Sequence, residues 1–213
     1  MKKVAVLGSG VVAQTLAKGF KKHGYEVRLG NRTADKLAAF SKENGIPVAS
    51  LSVASAWADG IVLAVSGRAA QDVLQQAGAN NIAGKTVIDP TNPIAEGAPD
   101  DGVIRYFTGP NDSLMERLQK AFPDAHFVKA FNSIGNAWMV NPTFKDAKGS
   151  MFYCGNDAGA KADVKKIIEQ FGWEPCDMGK AAGARAIEPL CQLWCIPGML
   201  GGPWNHAFRF MTV

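Results

Sequence analysis

Gly8-Ser9-Gly10-Val11-Val12-Ala13 decides the fold, because this stretch joins an apolar run at residues 4–7 to a helical pattern that starts near Val11. A strand, a Gly-x-Gly-x-x-Ala turn and a helix in this order form the fingerprint of a dinucleotide-binding unit. Gly8 permits a tight exit from the strand, and Gly10 lets a pyrophosphate approach the backbone without meeting a Cβ. The free N–H groups at the start of the helix offer an anion site. A glycine turn without a ligand is the alternative, but the register of the three parts favours nucleotide binding.

A second informative stretch, Asn31-Arg32-Thr33, follows the next predicted strand at residues 25–29. NAD-binding units usually place an acidic residue here, where it bonds the ribose 2′-hydroxyl. Asn31 stands at this position instead of an acid, and Arg32 and Thr33 provide a guanidinium and a hydroxyl, which favour a 2′-phosphate. Lys36 adds an ammonium group one turn later. The sequence therefore predicts NADP(H) in preference to NAD(H). Asn31 and Thr33 could also serve to cap a helix over residues 34–40, and the two interpretations are compatible.

Strand and helix patterns alternate along most of the remaining chain. The continuous apolar run at residues 61–65 is typical of a central parallel strand. We therefore predict an α/β fold of the Rossmann type, a doubly wound, mostly parallel sheet with a small C-terminal helical lobe. Residues 1–180 are the predicted NADP-binding domain, and residues 181–213 are the predicted lobe that covers the acceptor site.

Two strand exits supply further candidate site residues. Ser66 follows the run at 61–65, and Asp89-Pro90-Thr91-Asn92-Pro93 follows the next predicted strand. Open α/β sheets bind ligands at the carboxyl ends of their strands. The two prolines hold the second exit as an extended loop, which we expect to form one wall of the pocket.

Composition excludes several classes of function. The chain has 213 residues, 47% of them hydrophobic, which is enough for one large core. No apolar run approaches the ~18 residues of a membrane span, and the first residues lead directly into a strand instead of a secretory signal. The net charge of +4 comes from scattered basic residues, so no nucleic-acid partner is expected. Four cysteines without metal-ligand spacing indicate reduced thiols in the cytoplasm and no metal site.

The predicted chemistry is hydride transfer between two flat rings, which needs stacking, orientation and exclusion of water more than a nucleophile. The sequence presents no Ser/His/Asp set and no paired carboxylates, so no catalytic residue is assigned. Positioning is expected from Ser66, Asn92, Asn132 and main-chain amides. Lys129 lies inside a predicted strand, where it is either a surface residue on an edge or a buried cation near a ligand.

These motifs resemble those of the NADPH-dependent coenzyme F420 reductase (F420:NADP oxidoreductase) family, which is related to the reductase domain of the STEAP metalloreductases. The resemblance is carried by the glycine turn, Asn31-Arg32-Thr33, residues 89–93 and Val128-Lys129-Ala130-Phe131-Asn132-Ser133-Ile134-Gly135. Residues 154–157 and Glu188-Pro189-Leu190 also look like this family.

The resemblance implies a role for each part of the site. The implied contacts are Ser9, Gly10, Val11 and Val12 with the pyrophosphate; Asn31, Arg32 and Lys36 with the 2′-phosphate side; Ala64 and Val65 with the ribose region; and Asn92, Pro93, Ala130, Phe131 and Asn132 with the nicotinamide. It also implies a small-molecule hydride acceptor, either F420 or a flavin (FMN or FAD), and a homodimer in which residues 199–202 help to cover that acceptor.

Three alternatives remain open at this point. The first is a flavin-relayed ferric or quinone reductase, and the second is a non-catalytic NADPH-sensing module that binds a protein partner. The third is a dehydrogenase of the imine or 3-hydroxy acid type, for which Lys129 is the one candidate proton donor.

Overall fold

A single eight-stranded sheet organises the computed structural model, which describes residues 1–145 and 147–213. The strand order is β3-β2-β1-β4-β5-β6-β7-β8. Among the described residues, β6 and β7 pair antiparallel and the other neighbouring strands pair parallel. The predicted doubly wound, mostly parallel Rossmann-type sheet is confirmed. The strands are β1 (Lys3–Leu7), β2 (Glu26–Gly30), β3 (Val48–Ala49), β4 (Gly60–Leu63), β5 (Thr86–Asp89), β6 (His126–Lys129), β7 (Ser150–Gly155) and β8 (Glu174–Asp177).

Helices connect the strands and cover both faces of the sheet. The predicted helix over 34–40 is instead a 3₁₀ turn, Ala34–Leu37, followed by a separate helix. A short helix predicted near residues 53–58 begins earlier, at Leu51, because the Ser50 side chain caps it by accepting the N–H of Val53. The helices are α1 (Val11–Lys22), α2 (Ala38–Asn44), α3 (Leu51–Trp57), α4 (Ala70–Ala77), α5 (Ala79–Ile82), α6 (Leu114–Ala121), α7 (Ala158–Gln170), α8 (Ala184–Ile187) and α9 (Pro189–Met199).

Alternating side chains of the strands fill two apolar layers. Val4 and Val6 of β1 pack with α1 and α7, whereas Ala5 and Leu7 pack with α3, α4 and α6. This division follows from the two-residue period of a strand, because both faces of a parallel sheet are covered by helices.

The site is positioned by the reversal of strand order between β1 and β4. The chain proceeds from β1 outward to β3, then returns to the other side of β1 and continues through β4, β5 and β6. The turn after β1 and the exit of β4 touch each other: a Cβ on Gly8 would lie 2.1 Å from the Ala64 carbonyl oxygen. Gly8 also has φ +137°, a conformation that favours glycine. The first glycine of the fingerprint is therefore needed by the fold itself.

The C-terminal segment packs on both layers of the core. Ile187 of α8 belongs to one layer, and Trp194 of α9 belongs to the other. The tail then folds back on α9, where Trp194 donates its indole N–H to the His206 carbonyl at 2.8 Å. The division at residues 180 and 181 stays a prediction. Within the described part of the chain, no helix combines the length and apolar character needed to cross a membrane.

Candidate functional site

A cavity of about 630 Å³ lies where the strand order reverses. Most of the predicted cofactor contacts line it, and they come from the exits of β1, β2, β4 and β5. The lining residues are Gly8, Ser9, Gly10, Val11, Val12, Asn31, Arg32, Leu51, Ala64, Val65, Ser66, Gly67, Arg68, Ala69, Val73, Pro90, Thr91, Asn92, Ile94 and Ala95. Parallel strands bring their carboxyl ends to one edge, so these separate exits meet at a single site.

The glycine turn leaves an open cradle at the start of α1. Gly10 is the N-cap residue, and no described atom lies within 4 Å of the position that a Cβ would occupy there. The first turn of α1 contains no acidic residue. The free N–H groups and the positive end of the helix dipole therefore face the cavity without a competing carboxylate from that turn.

Arg32 lines the cavity at the exit of β2, the strand that pairs with β1. Its side chain is 61% exposed, and its guanidinium lies 3.6 Å from the Asp72 carboxylate on α4. The Asn31 side-chain amide donates to the Thr33 carbonyl at 2.8 Å, so Asn31 stabilises the turn that presents Arg32. In the described structure, the Thr33 side chain makes no capping hydrogen bond, and the predicted cap at this position is not seen. Thr33 and Lys36 lie outside the lining of the cavity.

Arg68 is a second lining cation, and it was not among the predicted cofactor contacts. It follows Ser66-Gly67 at the exit of β4 and forms an ion pair with Glu96. Its position directly after a strand that ends in the cavity was the available signal. Leu51 and Val73 were missed as well, because buried helical positions look the same in sequence whether or not they border a ligand site.

At the opposite end, Asn92 and Asn132 hold each other through their amide groups. The Asn92 side-chain amide donates to the Asn132 backbone carbonyl oxygen at 2.8 Å, and the Asn132 side-chain amide donates to the Asn92 side-chain oxygen at 3.0 Å. Asn92 lines the cavity, whereas Asn132 lies behind it and is 4% exposed.

The other residues predicted to contact the nicotinamide lie deeper than Asn92. Ala130 and Phe131 are buried, and the Phe131 ring packs 5.7 Å from the ring of Phe171 in the core. Phe131 has φ +63°, which turns the chain sharply after β6. Pro93, Ala130, Phe131 and Asn132 are not among the lining residues of the cavity, so their contacts with a nicotinamide stay predictions.

Lys129 is a buried cation held by two carboxylates and a backbone carbonyl. Its ammonium lies 2.7 Å from Asp89, 3.0 Å from Glu188 and 2.7 Å from the Thr91 carbonyl oxygen. Burial lowers the pKa of Lys129, but the charges of Asp89 and Glu188 outweigh it and hold that pKa above its ordinary value. Lys129 therefore stays charged and remains behind the cavity wall, which does not support a role as proton donor to a substrate.

Tyr106 and Glu188 complete this buried cluster. The Tyr106 hydroxyl donates to the Glu188 carbonyl oxygen at 2.8 Å, and burial raises the pKa of Tyr106 well above its ordinary range. Tyr106 lies in residues 95–111, where the abundance of Gly, Pro and Asp predicts a surface excursion and gives no signal of a buried hydroxyl. Ile104 of that segment is buried in the core, so the surface prediction is wrong there.

The histidines and thiols lie away from the lining residues. His23 contacts Asn141, His126 is 4.0 Å from Asp157, and His206 contacts the Trp194 carbonyl. All four cysteines are free. Burial raises the pKa of the Cys154 thiol to about 12, which makes it unreactive at neutral pH.

Comparison with known proteins identifies the family of this chain. Residues 3–93 match the family described as NADP oxidoreductase coenzyme F420-dependent. The crystal structure of a candidate F420-dependent NADP-reductase from Arthrobacter sp. FB24 is 32% identical, with a TM-score of 0.92 and 100% of each chain covered. Metalloreductase STEAP3 of Rattus norvegicus is 30% identical over 203 residues, which are 93% of this chain and 39% of the relative. A reductive aminase from Aspergillus terreus has a TM-score of 0.65 at 20% identity over 94% of this chain and 62% of its own, a likeness of fold alone.

Fold and family together define the class, an NADP-dependent oxidoreductase with a Rossmann fold. Two findings then identify the family within this class: the similarity to the Arthrobacter protein over the whole chain, and the family match over residues 3–93. The chain belongs to the family of coenzyme F420-dependent NADP oxidoreductases. It spans only 39% and 35% of the length of the curated STEAP3 and STEAP2 relatives that it matches.

Proposed function

We propose that this protein binds NADP(H) in the cavity and transfers a hydride between it and a deazaflavin of the F420 class or a flavin. The observation that carries the proposal is the meeting of the glycine turn, Arg32 and Asn92 in one cavity of about 630 Å³. This volume falls within the range of small-molecule and cofactor sites.

The lining residues fit the chemistry of NADP(H) from one end to the other. The cradle at Gly10 and the N–H groups of α1 suit a pyrophosphate, and exposed Arg32 suits a 2′-phosphate. Leu51 and Val73 provide apolar surface for the adenine. Asn92 offers an amide at the end where a nicotinamide would lie.

Bound NADPH supplies the hydride, and the protein residues orient the reacting groups and exclude water. We propose that Ser66 and Asn92 orient the nicotinamide end, and that Ile94 and Ala95 exclude water from it. Orientation of this kind can lower a barrier by roughly 7 kcal/mol or more when the rings are held close.

A second candidate, reduction of ferric iron through a flavin relay, is favoured by the similarity to Metalloreductase STEAP3 over 93% of this chain. An acceptor assay distinguishes the candidates. The protein and NADPH are mixed in separate reactions with F420, with FMN, with FAD, with ferric citrate alone, and with ferric citrate plus FMN. Oxidation of NADPH is followed at the nicotinamide absorbance band. We expect turnover with F420 or with a free flavin; turnover that requires both iron and flavin supports the second candidate, and NADPH binding without any turnover contradicts both.

We propose a homodimer and a location in the cytoplasm for the same protein. Val103, Met199 and Leu200 are exposed apolar side chains, and Met199 and Leu200 lie against Gly102. Exposed apolar side chains grouped in this way are typical of surfaces that a partner covers. Sedimentation at several protein concentrations tests the dimer, and Leu200→Glu should shift it toward the monomer.

Replacing Arg32 by alanine tests the proposed 2′-phosphate contact. We expect Arg32→Ala to weaken NADPH binding by about 1.5–3 kcal/mol, because a charge-assisted hydrogen bond is lost. NADH binding should change little, since NADH carries no 2′-phosphate. Calorimetric titration of both cofactors measures the difference, with Arg185→Ala as a control because Arg185 is an exposed arginine paired with Glu116. Equal losses for the two cofactors would place the 2′-phosphate elsewhere.

Asp72 competes with a 2′-phosphate for Arg32 in this arrangement. Its carboxylate is 55% exposed and lies 3.6 Å from the guanidinium. Exposed ion pairs of this kind contribute about 0.2–1 kcal/mol, so Asp72→Asn should tighten NADPH binding by a few-fold at most. NADH affinity should stay constant, and the gain should vanish when Arg32 is alanine. A gain that persists in the Arg32→Ala background would contradict the competition.

A further inference from the structure

Glu188 connects the C-terminal helices to the interior of the molecule through its buried carboxylate. The side chain is 1% exposed, and it accepts the backbone N–H groups of Leu114 at 2.9 Å and Met115 at 3.0 Å. The same carboxylate lies 3.0 Å from the Lys129 ammonium. Its negative charge is therefore placed at the N-terminus of α6 and beside a cation, two positions that favour it.

Two short chains of hydrogen bonds run from this point to the cavity wall. In the first, the Lys129 ammonium donates to the Thr91 carbonyl oxygen at 2.7 Å. In the second, the carbonyl oxygen of Ile187, next to Glu188, accepts from Asn132 at 2.9 Å, and Asn132 is bonded to Asn92. Thr91 and Asn92 both line the cavity. The wall segment, defined as Thr91 and Asn92, is thus held from behind by residues that depend on Glu188 and its neighbour.

We propose that Glu188 is a positioning residue for hydride transfer, which holds the wall segment at the nicotinamide end of the cavity. The inference rests on the proposed function, because it assigns that end to the reacting ring. Glu188 itself is not among the residues that line the cavity. Its carboxylate acts through Lys129, whereas Asn132 is held by the backbone carbonyl of the neighbouring Ile187. The effect of Glu188 should appear at the wall segment and not at the glycine turn.

Glu188→Gln is the suitable variant because of the charges in the cluster. Lys129 lies between two carboxylates, those of Asp89 and Glu188, so the cluster carries one net negative charge. The glutamine removes that excess and leaves Lys129 paired with Asp89. The glutamine keeps one acceptor oxygen, but the NH₂ group that replaces the other oxygen is a donor and cannot accept the second backbone N–H of α6. The substitution therefore loosens the cluster without leaving a cation buried alone.

Amide hydrogen exchange in the presence of NADP⁺ gives a readout that does not depend on turnover. We expect peptides that cover residues 89–96 to exchange at least about fivefold faster in Glu188→Gln, because the wall segment opens more often. Peptides that cover residues 8–13 should be unchanged. With a working acceptor, kcat should fall by about tenfold or more while the KM for NADPH stays within about twofold, since misplacement of the reacting groups costs rate more than binding.

Glu116→Gln is the matched control, because Glu116 lies on α6, the helix whose N-terminus the Glu188 carboxylate contacts. Glu116 pairs with Arg185 at 2.8 Å and also joins α6 to α8, but it contacts neither Lys129 nor the wall segment. A glutamine at this position can keep the capping arrangement with Ser113. We expect this variant to leave the exchange at residues 89–96 and the kcat unchanged. Equal effects of the two substitutions would assign Glu188 a general structural role and overturn the inference.

The remaining outcomes separate a failure of the Glu188 inference from a failure of the proposed function. Wild-type exchange at residues 89–96 in Glu188→Gln overturns the inference, as does a loosened wall segment with an unchanged kcat. If the wild-type protein binds NADPH but reduces no acceptor, the proposed function fails, while the exchange experiment still decides whether Glu188 holds the wall segment. If Glu188→Gln does not fold, Glu188→Asp replaces it, because aspartate keeps the negative charge but is one methylene shorter, so its carboxylate withdraws from Lys129 and from the N–H groups of α6. Glu188→Asp should then produce smaller changes in the same two readouts, and their absence overturns the inference.

Discussion

Lys129→Met is expected to lower the free energy of unfolding by about 3–5 kcal/mol, because it leaves two buried carboxylates without their cation. Asp89 and Glu188 are 0% and 1% exposed at the side chain, and the Lys129 ammonium lies within 3.0 Å of each. Methionine has a similar volume, so the expected loss comes from charge and not from a cavity. Denaturation in urea at constant pH measures the change.

Lys165→Met is the control, because it makes the same lysine-to-methionine change at an exposed ion pair. Lys165 pairs with Glu169 at 4.0 Å, and both side chains are about half exposed. Exposed pairs on one helix contribute only about 0.3–0.5 kcal/mol, so this variant should keep nearly full stability. A loss for Lys129→Met no larger than that of the control would contradict the buried ion cluster.

The pH dependence of stability gives a second check on Lys129. Its pKa is raised in the folded state above the ordinary value of 10.5. A group of this kind stabilises the fold fully below its unfolded pKa, and that contribution is lost as the pH rises through the folded pKa. The difference in unfolding free energy between wild type and Lys129→Met should therefore shrink in the alkaline range above 10.5. A constant difference would mean that the charge on Lys129 is not what stabilises the cluster.

The second large effect is on stability, and it should differ between alanine substitutions at Gly8 and at Gly10 in the first turn. Gly8→Ala should lower the free energy of unfolding by at least about 2 kcal/mol, because it combines backbone strain with a steric clash. The strain comes from φ +137° and the clash from the Ala64 carbonyl oxygen, 2.1 Å from the new Cβ. Gly10→Ala should leave stability within about 1 kcal/mol, since its Cβ meets no described atom and its backbone is extended.

NADPH binding should respond in the opposite order among molecules that remain folded. The new Cβ of Gly10→Ala projects where a pyrophosphate approaches the backbone, and overpacking of this kind costs about 1–3 kcal/mol. Thermal unfolding and NADPH titration of both variants measure the two effects. Full NADPH affinity in Gly10→Ala would show that no phosphate lies against this turn, and it would remove the main support for the proposed cofactor site.

The sequence predicted most of the site because its signals are local. The glycine turn, the cationic Asn31-Arg32-Thr33 stretch and the polar strand exits each depend on residues close together in the chain. Once the strands are parallel, their exits must meet at one edge of the sheet, so Gly10, Arg32 and Asn92 converge without further information.

Other features depend on contacts between distant residues. Asp72 lies 40 positions after Arg32 in the chain, and no local pattern connects the two. The helix capping predicted for Thr33 is not seen among the described residues, because the 3₁₀ turn that follows does not use its hydroxyl. The depth of Phe131 follows from its left-handed backbone conformation and from the neighbouring Phe171 ring.

By itself, the sequence determined the doubly wound sheet, the glycine turn after β1 and the cationic loop after β2. Hydrophobic periodicity and glycine conformation act over a few residues, and they are sufficient for these features. Only the tertiary structure decided that Lys129 is a buried cation held by Asp89 and Glu188 and that Glu188 reaches the cavity wall through it. The charge state and role of a buried lysine depend on which carboxylates the fold brings within about 4 Å, and those carboxylates come from distant parts of the chain.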